Sequence, residues 1–251
     1  MKFPVPKRIA GRRIWTQRRF FRSEQPETHI VDWIRQCCQP GDTFFDIGAH
    51  YGWISITAAD CVGPLGRVIA FEPAPALLDV LAFHKRMNRL RQVDIVPKAV
   101  SGVSSAHIWL FLVNGGLSFR NSITTSDDDA PFLLPHQKIR VQVPSISLDD
   151  FCIESGLIPD VIKIDVEGAE LLVLQGAERT LQEHSPTLIV GVHPFWLPKQ
   201  QRPADIFDLL DDHGYEICRE HVIAFNESYL ADYLCKPRSV VRTSNSSSRL
   251  S

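Results

Sequence analysis

The sequence predicts a three-layer, doubly wound α/β domain, and two neighbouring segments carry this prediction. In residues 43–52 an apolar run breaks at Asp46, and a helix-like segment begins near Gly52. In residues 67–73 a second apolar run ends at an acidic residue, Glu72. A strand, a glycine turn, a helix, a second strand and an acid in this order are typical of a nucleoside-binding βαβ unit. Further apolar runs alternate with helical patterns along the 251 residues, which extends the unit into an open α/β sheet.

The elements of the first half follow from helical periodicity and from turn residues. Apolar residues at positions 30, 31, 34 and 37 share one helical face. Pro75 suits the first turn of a helix, because its missing N–H is not needed there. The predicted helices cover residues 27–38, 52–61 and 75–88, and the predicted strands cover residues 43–48, 67–72 and 93–100.

Residues 101–147 interrupt this alternation and are predicted to be an insertion. Short strand candidates at 107–113 and 138–143 flank a polar segment with three consecutive aspartates. Long loops on compact domains are often lids or binding loops, so the insertion could cover a site; an acidic loop solvated at the surface is the alternative. The elements predicted after it are helices at 147–155, 168–183 and 203–213, strands at 160–166 and 187–192, and a terminal hairpin of 215–218 with 232–235.

The chain divides into an arm, a domain and a tail. Residues 1–26 form a basic N-terminal arm, residues 27–240 form the α/β domain, and residues 241–251 form a serine-rich tail that is predicted to be disordered. We interpret the arm as mobile or packed on the surface, and contact with a membrane surface or an anionic partner is the less favoured alternative. Its basic residues are interleaved with apolar ones and are Lys7, Arg8, Arg12, Arg13, Arg18, Arg19 and Arg22.

Composition and charge place the chain among globular proteins. Hydrophobic residues make up 44% and charged residues 22%, and a formal net charge of -2 gives none of the overall basicity that nucleic-acid binding favours. No apolar run reaches the length of a transmembrane helix, and the basic N-terminus lacks the apolar segment of a secretory signal. The six cysteines have no C-x-x-C spacing, so they indicate reduced thiols of a cytoplasmic protein and not a zinc site.

The glycine pattern narrows the ligand of the predicted nucleoside site. A dinucleotide site needs G-x-G-x-x-G so that pyrophosphate lies against bare backbone, whereas here three residues with side chains separate Gly48 from Gly52. Those side chains leave room for S-adenosylmethionine, which has no phosphate and whose carboxylate suits a helix N-terminus. Glu72 is placed to accept both ribose hydroxyls, and Asp46 to serve the ammonium or sulfonium side, directly or through water. The predicted cofactor site comprises Asp46, Gly48, His50, Gly52, Glu72, Pro73, Ala99 and Asp165.

A second group of polar residues lies at the carboxyl ends of strands four and five. Lys163 and Asp165 alternate with apolar residues on an otherwise buried strand, so both face one side of the sheet. Ligands of open α/β sheets bind outside these strand ends, where His193 also lies. We therefore predict catalytic roles for His193, Asp165 and Lys163, with an imidazole of near-neutral pKa, or Asp165, as the base for a hydroxyl proton. A structural Lys–Asp pair is the alternative, as is dipole stabilisation for Glu167 and Glu170.

These segments together resemble the FkbM-like methyltransferases, which have the class I S-adenosylmethionine-dependent fold. The motifs that carry the resemblance are FDIGAHYG (45–52), FEP (71–73), SLDDF (147–151), IKIDVEGAE (162–170), VLQGA (173–177) and the HP step at 193–194. The resemblance implies a seven-stranded, mostly parallel, Rossmann-like sheet with an antiparallel last strand. It also implies methyl transfer, most often to a hydroxyl of a sugar or polyketide-like small molecule. Family members usually carry asparagine where His50 stands, so the local contact to the methionine moiety differs here.

The predicted function is therefore S-adenosylmethionine-dependent O-methylation of a small hydroxylated acceptor, without a metal. In a less favoured variant, Asp165, Glu167 and nearby acids hold Mg²⁺. An NAD-linked dehydrogenase shares the βαβ pattern but needs phosphate-binding glycines that are missing here. A third alternative is a methyltransferase fold that serves only as a binding module, against which the polar end of strand four and His193 argue.

Overall fold

The computed structural model describes residues 4–17, 27–113, 122–123, 139–225 and 228–238. The helices of these residues are α1 (Thr28–Cys37), α2 (Trp53–Val62), α3 (Pro75–Met87), α4 (Leu148–Ser155), α5 (Glu170–Gln175), α6 (Glu178–His184) and α7 (Pro203–Asp212). The strands are β1 (Pro4–Ile9), β2 (Arg12–Gln17), β3 (Thr43–Ile47), β4 (Arg67–Phe71), β5 (Val93–Val96), β6 (Ala99–Val100), β7 (Ser105–Leu112), β8 (Ser122–Ile123), β9 (Ile139–Ile146), β10 (Val161–Ile164), β11 (Thr187–Val192), β12 (Tyr215–Phe225) and β13 (Ser228–Pro237).

The main sheet has seven strands in the order β12-β13-β11-β10-β3-β4-β5. The five strands from β11 to β5 pair in parallel, whereas β13, the last strand that the structure describes, pairs antiparallel with both β11 and β12. This topology confirms the predicted fold, a mostly parallel sheet of seven strands with an antiparallel terminal strand. Because the strand order reverses between β3 and β10, the carboxyl ends of these two strands border a crevice of the kind that binds ligands.

Helices cover both faces of the sheet, which gives three layers. Alternate residues of each strand point to opposite faces, so the neighbours Phe44 and Phe45 belong to two different cores. The Phe44 side is covered by α1, α2 and α3, and the Phe45 side is covered by α4, α5, α6 and α7. Asp46 and Lys163 lie on the Phe44 side, two residues beyond Phe44 and Val161, and so under α2.

Two predicted elements are divided in the structure. The predicted third strand, 93–100, is two strands in two sheets, because Pro97 between them has no N–H to donate to a ladder. The predicted helix 168–183 is α5 and α6, with a break at Gly176. A Cβ on Gly176 would lie 2.2 Å from the carbonyl oxygen of Ser101, so the chain bends where two backbones meet. The terminal hairpin has the predicted pairing but is longer, with 11 residues in β12 and 10 in β13.

The described part of the N-terminal arm is a β-hairpin that packs on the domain. Ile9 and Ile14 are buried in the same core as α1, α2 and α3. Arg12 forms an ion pair with Asp60 of α2. Sequence analysis interpreted the arm as mobile or packed on the surface and predicted no strands in it. Arg18, Arg19 and Arg22 lie outside the described residues.

The predicted insertion contributes a smaller, four-stranded sheet in the order β6-β9-β7-β8. Most of its polar segment, including the three aspartates, lies outside the described residues, as does the predicted tail. Among the helices that the structure describes, none is both long enough and apolar enough to cross a membrane.

Candidate active site

A tight turn after β3 brings the loops that follow β3 and β10 into contact. Gly48 and Gly52 both have a φ of 80°, which costs little for glycine. A Cβ on Gly48 would lie 2.0 Å from the carbonyl oxygen of Asp165, so no larger residue fits. His50 has a φ of 51°, in the left-handed region where asparagine and histidine are enriched. The backbone therefore suits both the histidine of this chain and the asparagine that is usual in FkbM-like proteins.

Glu72 closes the other side of the turn at the end of β4. Its side chain is buried, and it accepts the N–H of His50 on Oε2 at 2.8 Å and the N–H of Ala74 on Oε1 at 2.9 Å. Burial raises the pKa of Glu72 to about 7, although both N–H groups favour the ionised form. A carboxylate oxygen has two lone pairs, so each oxygen has one acceptor position left beyond these described bonds.

Lys163 joins β3, the glycine turn and β10 beneath the crevice. Its Nζ lies 3.6 Å from Asp46 Oδ1 and 3.2 Å from Asp165 Oδ2, and it donates to the carbonyl oxygen of Gly48 at 3.2 Å. Burial opposes the charge on Lys163, but Asp165 and Asp46 outweigh it and raise the pKa of Lys163 above its usual value. This geometry favours the structural alternative for Lys163 over a direct catalytic role.

Asp46 was predicted to contact the ligand directly or through water, whereas the structure places its side chain in the interior. It is 0% exposed, and its Oδ2 accepts a hydrogen bond from the hydroxyl of Ser55 in α2 at 2.5 Å. In this position Asp46 supports the glycine turn indirectly, through its contacts with Lys163 and Ser55. Sequence analysis missed Ser55, because only the packing of α2 on β3 brings the two side chains together.

Asp165 and His193 meet at the ends of β10 and β11, as expected. Nε2 of His193 lies 3.8 Å from Asp165 Oδ1, and its Nδ1 lies 3.0 Å from Glu170 Oε1. Glu170 is 0% exposed and also accepts the N–H of Gly168 on both oxygens, at 3.1 and 3.0 Å. A Cβ on Gly191 would lie 2.8 Å from Cε1 of His193, so the ring uses space that only glycine leaves. Glu170 thus orients His193, a role that sequence analysis missed by explaining Glu170 through the helix dipole.

Three carboxylates surround the His193 imidazole and decide its charge. Burial would lower the pKa of His193, but Glu170, Glu167 and Asp165 raise it to about 10. The ring is therefore protonated at neutral pH, which differs from the expected near-neutral pKa. Burial would raise the pKa of Asp165, but Lys163 and His193 lower it below its usual value. Of the two candidate bases, Asp165 is the one that is ionised and ready to accept a proton.

Glu167 extends this cluster from the loop after β10. Burial raises the pKa of Glu167 to about 8, against the opposing effect of His193. Oxygen or nitrogen atoms of Asp165, Glu167 and His193 all lie within 4.8 Å of one another. Two carboxylates and an imidazole at this separation are a set of groups that can hold a divalent cation.

A second polar cluster, of Glu27, His29 and Asp232, lies next to the first. Nε2 of His29 is 2.9 Å from Asp232 Oδ2 and 3.5 Å from Glu27 Oε2. Asp232 pairs with Gly191 across β13 and β11, and its Oδ1 lies 3.5 Å from where a Cβ on Gly191 would be, on the His193 side. Burial is the main cause that raises the pKa of Glu27 to about 7, and the neighbouring Asp232 carboxylate adds to it. Sequence analysis missed the cluster, although an aspartate within an apolar strand was a signal for Asp232.

The remaining predicted cofactor residues divide between two places. Pro73 follows Glu72 directly and is half-buried beside the turn. Ala99 lies in β6, in the smaller sheet, and packs with Ala74 and Leu77. It was expected in the third strand of the main sheet, from which Pro97 separates it.

The strand order, the glycine turn and the acid at the end of β4 together define a protein of the class I methyltransferase type. The chain belongs to the methyltransferase FkbM domain family, which matches residues 46–217. The matched region contains both the glycine turn and the Asp165–His193 pair. This membership confirms the resemblance and the predicted S-adenosylmethionine-dependent methyltransferase activity, and it does not favour the dehydrogenase or the inactive binding module.

Named relatives support the same activity. The chain is 28% identical over 179 residues to the hexuronic acid methyltransferase AglP of Haloferax volcanii, which covers 69% of this chain and 65% of that protein. It is 26% identical over 201 residues to the 31-O-demethyl-FK506 methyltransferase FkbM of Streptomyces tacrolimicus, which covers 72% of this chain and 75% of that protein. Among solved structures, Trm5b of Pyrococcus abyssi has the same fold, with a TM-score of 0.53 and 13% identity over 92% of this chain and 55% of that chain.

Proposed function

We propose that this protein transfers the methyl group of S-adenosylmethionine to a hydroxyl group of a sugar or polyketide-like small molecule. The crevice at the ends of β3, β4 and β10 holds the methyl donor, and the ends of β10 and β11 hold the acceptor. Two relatives support this acceptor class by their names, one a hexuronic acid methyltransferase and the other a methyltransferase for a 31-O-demethyl compound.

The Glu72 carboxylate is the observation that carries the proposal. Its two oxygens each accept one backbone N–H and each keep one acceptor position. Two acceptor positions on one carboxylate fit the two neighbouring hydroxyls of a ribose. The bond from His50 N–H also ties the carboxylate to the glycine turn, so the ribose and the amino-acid end of the same ligand are positioned by one unit.

The acceptor side is built from Asp165 and His193. Bound S-adenosylmethionine supplies an electrophilic methyl group, so the main task of the chain is to align a hydroxyl oxygen with the S–CH₃ bond. The protonated His193 donates a hydrogen bond that orients the oxygen, and the ionised Asp165 accepts the hydroxyl proton. The new O–CH₃ bond forms as the S–CH₃ bond breaks, and the sulfur keeps the bonding electron pair.

Replacing Glu72 with glutamine is expected to weaken S-adenosylhomocysteine binding by at least about tenfold, since a hydrogen bond to a charged group contributes about 1.5–3 kcal/mol. Glutamine has nearly the same shape, but its NH₂ group would face one of the two N–H donors, of His50 or Ala74. Isothermal titration calorimetry on the folded variant measures the change. Glu154→Gln, at an exposed position in α4, is the matched control and should bind as the wild type does. Unchanged affinity in Glu72→Gln would contradict the ribose assignment.

The same carboxylate predicts a pH dependence of cofactor binding. The pKa of Glu72 is raised to about 7 in the free protein, and ribose hydroxyls bind the ionised form, so affinity should increase as the pH rises through this value. Affinity for S-adenosylhomocysteine at about pH 8 should exceed that at about pH 6 by about tenfold, the ratio of ionised fractions for this pKa. Calorimetry at both pH values checks the ratio, and Glu72→Gln should remove most of it. A ratio that persists in Glu72→Gln would assign the titration to another group.

A further inference from the structure

The two nitrogens of the His193 ring have different surroundings. Nδ1 is bound to the buried carboxylate of Glu170 at 3.0 Å. Nε2 has no hydrogen-bond partner among the residues that the structure describes, although His193 is only 8% exposed. Its nearest described carboxylate oxygen, Asp165 Oδ1, is 3.8 Å away, which is beyond hydrogen-bond distance. Nε2 of this largely buried residue thus faces the Asp165 carboxylate at a distance too long for a hydrogen bond.

The two carboxylate oxygens of Asp165 also have different surroundings. Its Oδ2 is held by Nζ of Lys163 at 3.2 Å, while its Oδ1 faces His193. Glu167 completes the group, since ligand atoms of the three residues lie within 4.8 Å of one another. Lys163 and Glu170 are outside the group, are themselves buried, and fix the atoms of Asp165 and His193 that do not face each other. Metal ligands are commonly oriented by outer partners of this kind.

We propose that Asp165, Glu167 and His193 bind a single divalent cation, Mg²⁺ or Mn²⁺, which takes the place of the proton on Nε2 of His193, because a metal binds the neutral imidazole. An ion about 2.1 Å from each of two ligand atoms can span up to about 4.2 Å, so the 3.8 Å between Nε2 and Oδ1 admits one. Two carboxylates neutralise its charge, and carboxylate oxygens are ligands that suit Mn²⁺ and Mg²⁺.

The cation would bind the hydroxyl oxygen of the acceptor, and this part rests on the proposed function. A bound cation lowers the pKa of a coordinated hydroxyl. In the cation-bound protein the cation therefore replaces the hydrogen bond from His193 in orienting the acceptor oxygen, and the proton passes to solvent water instead of to Asp165 as the oxygen forms its bond to the methyl carbon. The S–CH₃ bond breaks in the same step, and its electron pair stays on sulfur. Electrons and protons balance without an oxidant or reductant.

The neighbouring cluster of Glu27, His29 and Asp232 fits a cation less well. Its ligand atoms also lie within 4.8 Å of one another. However, Nε2 of His29 is already 2.9 Å from Asp232 Oδ2, which is a hydrogen bond and leaves no gap between the two atoms. We therefore assign the cation to the first group.

The assignment is tested by titrating EDTA-treated protein with Mn²⁺. The EPR signal of free Mn²⁺ measures how much of the ion is bound. The wild type should bind one Mn²⁺ per chain, and Glu167→Gln and His193→Ala should each weaken binding by about tenfold or more. Glu154→Gln and Asp232→Asn are controls that should bind as the wild type does, and thermal unfolding checks that each variant is folded. Absence of wild-type binding below about 1 mM, unchanged binding in both Glu167→Gln and His193→Ala, or loss in Asp232→Asn would overturn the assignment.

Calorimetry with S-adenosylhomocysteine in the presence of EDTA separates this site from the proposed function. Binding of S-adenosylhomocysteine without Mn²⁺ binding would remove the cation and leave methyl transfer standing. Mn²⁺ binding that is lost in Glu167→Gln, without binding of S-adenosylhomocysteine, would support the cation site and remove the proposed function.

Discussion

Replacing Asp165 with asparagine is expected to lower the rate of methyl transfer by about 100-fold to about 10,000-fold, the usual contribution of a positioned base. Asparagine keeps the size and the polar contacts of the side chain but cannot take up a proton. Affinity for S-adenosylhomocysteine should change by less than about twofold, because the ribose contacts at Glu72 are left in place. The variant thus separates the chemistry at the acceptor from the binding of the methyl donor.

The measurement uses labelled S-adenosylmethionine and a panel of hydroxylated sugars and polyketide-like alcohols, with rates compared on an acceptor that the wild type methylates. Asp208→Asn, at an exposed position in α7, is the matched control and should keep the wild-type rate. His193→Ala should also lower the rate, since the ring orients the acceptor oxygen. Wild-type rates in both Asp165→Asn and His193→Ala would remove these two residues from the mechanism.

Replacing Lys163 with methionine is expected to lower the free energy of unfolding by about 3–5 kcal/mol, the usual cost of breaking a buried ion pair on one side. Methionine fills nearly the same space but leaves the fully buried Asp46 without its cation. It also removes the hydrogen bond to the carbonyl oxygen of Gly48 and the contact with Asp165. The loss should therefore affect the glycine turn and Asp165 together.

Urea unfolding of the wild type and the variant measures this free energy. Lys199→Met, at an exposed position, is the control and should change stability by less than about 0.5 kcal/mol. The double variant Lys163→Met/Asp46→Asn should recover much of the loss, because it removes the uncompensated charge as well as its partner. A double variant as unstable as Lys163→Met alone would show that the Asp46 charge is not the cause.

Most of the architecture was predictable from local patterns in the sequence. The predicted bounds of β3, β4, β11 and α7 differ from the observed ones by at most one residue at each end. The approach of Asp165 to His193 was predictable as well, because the carboxyl ends of adjacent parallel strands meet at one edge of the sheet. These predictions needed only the alternation of strand-like and helical patterns, the positions of turn residues, and the rule that ligands of open α/β sheets bind at the carboxyl ends of the strands.

Other features depended on contacts between residues far apart in the chain. The division of residues 93–100 between two sheets required the pairing of β6 with β9. Glu170 is 23 positions from His193, and Asp232 is 203 positions from His29, so no local window shows either contact. The hairpin in the arm was missed because its apolar positions acquire a buried face only when Ile9 and Ile14 pack against the helices of the domain.

The sequence by itself determined most of the order of strands and helices in the main sheet and its two covering layers, the glycine turn with its acid at residue 72, and the family to which the chain belongs. These features depend on residue types at short spacing, where backbone sterics and hydrophobic periodicity act directly. Only the tertiary structure decided the ionisation of the site, with His193 held protonated among carboxylates and Asp165 held ionised by Lys163. A pKa is set by burial and by every charge nearby, and folding brings those charges together from distant parts of the chain.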